Sequence, residues 1–127
     1  MRAQYHFRPS ERGLLAWDVR RLVMLTQDLP VNSVSLVDIR ELDRNYWYGQ
    51  TTDNPTCRSI VEHCRLMLEC DFAFPVILDS EGRVMDGMHR ICRALLDGID
   101  AVDAVQFPVD PEPDYVGRVP DELPYDD

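Results

Sequence analysis

No apolar run in this 127-residue chain approaches the roughly 20 residues of a membrane-spanning helix. The opening stretch MRAQYHFRPSERG lacks the apolar core of a secretory leader. These two absences point to a cytoplasmic protein. Base is scarce as well: 13 Lys+Arg stand against 23 Asp+Glu, a net charge of −10. A domain that tracks nucleic acid presents a net basic face, so nucleic-acid binding is disfavoured. The chain also has no CxxC pair. Its cysteines, Cys57, Cys64, Cys70 and Cys92, match no common zinc-ligand spacing, even with His63 beside them. Structural zinc is therefore not expected, and neither are disulfides in a cytoplasmic setting.

What is present suffices for one core: 45% of the residues are apolar, enough for a single domain. The acid excess gathers at the C-terminus, where DPEPDYVGRVPDELPYDD contains a single Arg. The chain divides into a domain over residues 1–109 and an acidic, Pro-rich tail over 110–127 that wraps the surface or is partly mobile. Without the tail the body is only mildly acidic, and a local anion site within it is compatible with the charge.

Pro9-Ser10-Glu11 reads as a helix start with Ser10 as N-cap. Leu14, Leu15, Trp17, Val19, Leu22, Val23 and Leu25 follow at helical spacing and predict a helix over about 10–28. VNSVSLVDIREL alternates apolar and polar residues, a strand with Val34, Leu36 and Ile39 inward. Residues 43–54, DRNYWYGQTTDN, read as a loop broken by Gly49 and Asn54. A second helix opens at Pro55-Thr56 and turns Ile60, Val61, Cys64, Met67 and Leu68 inward. PVIL and RVMD form a hairpin around Gly82. A third helix over Met88–Leu96 packs through Ile91, Ala94 and Leu95 and ends at Gly98, and AVDAVQF is the last strand. The sum is an α+β domain with a small mixed sheet, flanking helices and an N-terminal helix, its core at about 34–107.

The densest chemistry lies at Asp86-Gly87-Met88-His89-Arg90, where RVMD meets the third helix. Gly87 permits a sharp turn and a close approach of ligand to backbone. The helix start presents unpaired N–H groups with partial positive charge. His89 and Arg90 in the first turn oppose that charge at about 0.3–1 kcal/mol each, a cost that a bound anion reverses. Two readings follow. In one, Asp86 caps the helix, His89 is a satisfied polar core residue, and Arg90 pairs with Asp86 or Glu81. In the other, Gly87, Met88, His89 and Arg90 hold a phosphate while Asp86 holds Mg²⁺ or orients a hydroxyl. Arg90→Ala separates them: lost binding with an intact fold supports the site, unfolding supports the structural role.

A hairpin, then D-G-x-H-R opening a helix, then a final strand resembles the ParB/sulfiredoxin-like superfamily over about Val34–Phe107. The resemblance implies a compact ParB/sulfiredoxin-like domain whose corner binds nucleotide phosphates. Sulfiredoxins carry G-C-H-R there, ParB carries G-E-R-R, and ParB-like free serine kinases carry D-G-H-H-R. The Asp before Gly makes the kinase form the nearest. With ELDRNYWY, NPTCRSIVEH and DPEPDY, the whole chain also looks like small bacterial ParB-like proteins. Met88 stands where sulfiredoxins place their catalytic Cys, and Cys92 lies a turn further on, so the thiolate nucleophile is missing. The helix-turn-helix and dimerisation segments of ParB partition proteins are missing too.

The resemblance thus implies a nucleotide (ATP, ADP or CTP) with Mg²⁺, or a phosphorylated small molecule, and a kinase-like phosphotransferase or nucleotide hydrolase. In the kinases a Glu near the first strand acts as base, and Glu41 and Asp43 are the candidates here; both also read as solvated loop charges. Arg58, in the first turn of the second helix behind its cap Thr56, is electrostatically awkward and could face the same anion as Arg90. Tyr46, Trp47 and Tyr48 either stack on a base or anchor their loop. His63 is either buried and hydrogen-bonded or a second site histidine. The alternative functions are a nucleotide-sensing module without turnover and, against the charge balance, a ParB-like nucleic-acid-binding protein or nuclease. The sequence is compatible with a homodimer.

Overall fold

The computed structural model describes residues 3–48 and 54–125. Its α+β architecture contains two sheets and three helices. The N-terminal segment is not the expected helix over 10–28. It is a hairpin of β1 (Tyr5–Arg8) and β2 (Leu15–Asp18), followed by the short helix α1 (Val19–Leu25). Ser10 and Gly13 close the turn by exchanging backbone bonds of 3.1 Å, so Ser10 caps no helix. Gly13 packs against Gly117, where a Cβ would come within 3.0 Å of the Gly117 Cα. The cap of α1 is Asp18, whose carboxylate accepts the Arg20 N–H at 2.9 Å. Leu15, Ala16 and Trp17 are all buried, a strand covered on both faces. Such a run directly joined to a helix imitates one long helical period.

The expected mixed sheet is present. β3 (Asn32–Ser35), β6 (Ala101–Gln106), β4 (Val76–Leu78) and β5 (Val84–Asp86) lie in that order, with β4 and β6 parallel and the other pairs antiparallel. After β3 the chain forms 3-10 turns at Leu36–Asp38 and Arg40–Asp43, where a continuing strand was expected. Side chains alternate across the sheet as its pleat requires. Val76, Leu78, Val84 and Ala104 face Ile39, Met88 and Ile91 on one side. Ile77, Met85 and Val105 face Trp17 and Leu22 on the other.

Helix α2 (Cys57–Glu69) starts at Thr56, which accepts the Ser59 N–H at 3.1 Å, but no residue of it is buried. Ile60, Val61, Cys64 and Leu68 are exposed, contrary to the expected inward face. The inward stripe is instead Ser59, His63 and Met67, because polar and ring contacts fix how this helix is turned. Helix α3 (Met88–Leu96) buries Met88, Ile91 and Ala94, while Leu95 is 57% exposed rather than packed. Gly98 follows its end at φ +73°. The acidic segment after 110 is docked: β7 (Tyr115–Val116) pairs with β2, Trp17 Nε1 donates to the Pro111 carbonyl at 2.9 Å, and Leu123 is 4% exposed. Among the described residues no helix is long and apolar enough to cross a membrane.

Candidate functional site

Gly87 is where β5 becomes α3. Its φ of 107° is left-handed, and a Cβ there would lie 3.0 Å from both Arg90 Nη2 and Val76 Cγ2. No side chain caps the helix, so Asp86 is not the N-cap. Ile91 N–H donates to the Gly87 carbonyl at 3.1 Å, which leaves the N–H groups of Met88, His89 and Arg90 without intrahelical acceptors. Arg90 folds back along the turn. Its Nη2 donates to Asp86 Oδ2 at 2.9 Å and its Nη1 to the Phe74 carbonyl at 2.7 Å, leaving the side chain 13% exposed.

His89 is equally committed. Its Nε2 lies 2.8 Å from His63 Nδ1, and Trp47 stacks on both rings with centroids 4.9 Å and 4.1 Å away. One imidazole must donate and the other accept, so the contact is lost when both rings are doubly protonated. Burial, then His63 and Arg90, hold the His89 pKa down to about 4. At neutral pH it brings no charge to a phosphate.

The aromatic run anchors its loop. Tyr46 Oη donates to the Val84 carbonyl at 3.1 Å, and Tyr48 Oη lies 2.9 Å from Ser59 Oγ. Val84 belongs to β5, the edge strand, and its N–H donates to Glu41 Oε2 at 2.7 Å. Glu41 and Tyr46 thus satisfy the backbone of Val84 on the open edge of the sheet in place of a neighbouring strand. Among the described residues Glu41 Oε1 is buried without a hydrogen-bond partner, an arrangement that costs free energy. Burial first, then the Glu41 and Asp86 carboxylates, push the Tyr46 phenol up, so these three groups share one electrostatic neighbourhood.

The corner and the segment that packs on it border a cavity of about 540 Å³ between β1, residues 41–47 and the β5–α3 junction. Glu41, Asp86, Gly87, Met88 and His89 reach it. Arg90 does not; it lines a separate hollow of about 180 Å³ beside Phe72 and Phe74. Asp43 and Arg58 are exposed and line neither space, so the sequence pattern placed them too near the corner.

Three arginines that the sequence did not single out line the cavity: Arg8, Arg44 and Arg83. Asp79, 0% exposed, accepts Arg8 Nη2 at 2.5 Å and Arg83 Nε at 2.7 Å. It also accepts the backbone N–H groups of Glu81 and Arg83 at 2.9 and 2.8 Å. Arg8 reaches Asp110 at 3.4 Å and lies 4.8 Å over the Trp17 ring. Arg44 has no acidic partner among the described residues. An Asp opening a D-S-E-G turn was a readable signal for Asp79. Nothing local marks Arg8, which stands 71 positions from Asp79.

The arrangement offers an anion the open start of α3 and the Arg44 guanidinium, and places the Glu41 carboxylate beside the same cavity. Among the described residues, no group of three or more His, Cys, Asp or Glu side chains is placed to hold a metal ion. No family model, curated protein or solved structure matches the chain.

Proposed function

We propose that the chain binds a phosphate-bearing small molecule, foremost a nucleotide, and acts as a small-molecule phosphotransferase or nucleotide hydrolase. One observation carries the reading. The start of α3 with its free N–H groups, an arginine without an acidic partner among the described residues, and Glu41, whose buried Oε1 has no hydrogen-bond partner among them, border the same cavity. Its volume of about 540 Å³ suits a small ligand, since such sites span roughly 300–1,000 Å³. In this reading the phosphate lies against Met88 and His89 N–H with Arg44 beside it. The Glu41 carboxylate takes the proton from the attacking hydroxyl or water. Asp86, released from Arg90, would be the residue to hold Mg²⁺, which would supply charge neutralisation to the phosphate. The likeness of D-G-M-H-R to the ParB/sulfiredoxin-like corner, and to its serine-kinase branch, supports the same class.

The Arg90–Asp86 pair favours a second reading, nucleotide sensing without turnover, because it occupies the second carboxylate. Thermal shift with ATP, ADP, CTP and GTP, with and without Mg²⁺, tests both. A ligand at 100 times its dissociation constant adds about 2.7 kcal/mol of stability. No shift with any nucleotide rejects both readings, and product analysis with the binding nucleotide separates them.

A further inference from the structure

His6 is a polar cavity residue that the fold leaves unused. It sits on β1, faces the cavity, and tilts against the Trp17 ring at 5.7 Å. Among the described residues its ring makes no hydrogen bond. A neutral imidazole carries one donor and one acceptor, and neither nitrogen of this half-buried ring is closed off from solvent, so both stay open to a ligand in the cavity. His89, by contrast, pairs with His63. Asp79 offers His6 no such role, being saturated by Arg8, Arg83 and two backbone N–H groups. Burial and Arg8 keep the His6 pKa low, at about 4, with Arg83 adding to them and Asp79 opposing. The ring is therefore neutral near pH 7 and suited to a neutral hydrogen-bonding group.

Its position complements the corner. β1 belongs to the three-stranded sheet and α3 follows the four-stranded one, yet both border the same space. We propose that His6 determines specificity in this cavity, its ring hydrogen-bonding an uncharged hydroxyl or ring nitrogen of a ligand whose phosphate lies at the start of α3. This rests on the cavity being the ligand site. It narrows the ligand to a phosphorylated sugar or nucleotide and away from inorganic phosphate alone.

Calorimetric titration with inorganic phosphate, ribose 5-phosphate and AMP tests the role in wild type, His6→Phe and His6→Gln. In His6→Phe, phosphate affinity should stay within twofold while ribose 5-phosphate and AMP weaken at least tenfold. His6→Gln, which keeps a donor and an acceptor, should recover part of the loss. The ligand-free His6→Phe protein should melt close to the wild-type temperature, since the ring makes no hydrogen bond among the described residues that the substitution could remove. A lower melting temperature or failure to fold makes His6 structural and overturns the proposal. Equal loss for all three ligands, or no loss for any, overturns it as well. Wild-type protein that binds none of them overturns the cavity reading itself, and the role of His6 with it.

Discussion

His63 and His89 meet nitrogen to nitrogen at 2.8 Å beneath the Trp47 ring, joining α2, α3 and the segment after Asp43 at one point. With no buried residue of its own, α2 depends on this junction and on Arg93, whose Nη1 donates to the Leu68 carbonyl at 2.9 Å.

Stability should fall as the pH drops from about 6.5 towards 4. His89 and His6 both titrate near 4 in the folded protein and near 6.5 when unfolded. Between those values the unfolded chain binds more protons, so the stability present above about 6.5 is lost on acidification. The depressed pKa values of Asp18 and Asp110 act in the same direction but mostly further down, as the pH falls through and below about 3.8. Urea midpoints at pH 7.5, 5.5 and 4.5 measure the slope. A His89→Gln variant with an undiminished slope would remove His89 as a source.

Gly87→Ala should destabilise more than Gly82→Ala. Both positions are left-handed, at about 1–2 kcal/mol for a residue with a Cβ. Gly82 has no atom within 4 Å of an added Cβ, whereas at Gly87 that atom meets Arg90 and Val76 at 3.0 Å. Equilibrium unfolding of the two variants compares them, and equal losses would mean that the tight contact relaxes freely.

Arg90→Ala should cost about 1–3 kcal/mol, because Asp86 and the Phe74 carbonyl lose a largely buried partner. Ligand binding should survive where the protein remains folded, and binding that disappears from a fully stable variant would return Arg90 to the site.

Glu41→Gln keeps an acceptor for Val84 N–H and removes the base. Turnover should fall by roughly 10²–10⁴ with binding retained. Arg44→Ala should do the reverse, weakening phosphate binding while leaving the unfolding midpoint unchanged. Steady-state kinetics beside calorimetry distinguishes the two patterns.

Deleting residues 110–127 should unfold the N-terminal hairpin or the whole protein. It removes β7, the Pro111 acceptor of Trp17, the Asp110 partner of Arg8 and the buried Leu123. Circular dichroism of the truncated chain checks this, and a native spectrum with native melting would show the tail to be dispensable.

Residues 76–106 were legible because their signals are local: two short apolar runs bracketing the D-S-E-G turn, glycines at the turns, and a helix with an apolar period. They supply three of the four strands of the mixed sheet, β4, β5 and β6. The N-terminal hairpin was not legible, because Leu15, Ala16 and Trp17 are buried by partners distant in the chain, and an uninterrupted apolar run has no period of its own. At the corner, residue types were readable but their commitments were not. That Arg90 turns to Phe74 and His89 to His63 depends on elements whose approach no spacing encodes.

The sheet formed by β1, β2 and β7 also gives the cavity a place in time. Tyr5 bonds through its hydroxyl to the Pro124 carbonyl, 119 positions away, and its ring meets that of Tyr125 edge-on. During synthesis β1 emerges early, yet Arg8 and Trp17 wait for Asp110 and Pro111, and β2 waits for β7. The wall that carries His6 is therefore finished only after the core strands have left the ribosome. A chain interrupted just beyond Phe107 would carry every strand of the four-stranded sheet and lack β7 and the partners of Tyr5, Arg8 and Trp17, so the cavity wall at β1 depends on the last residues made.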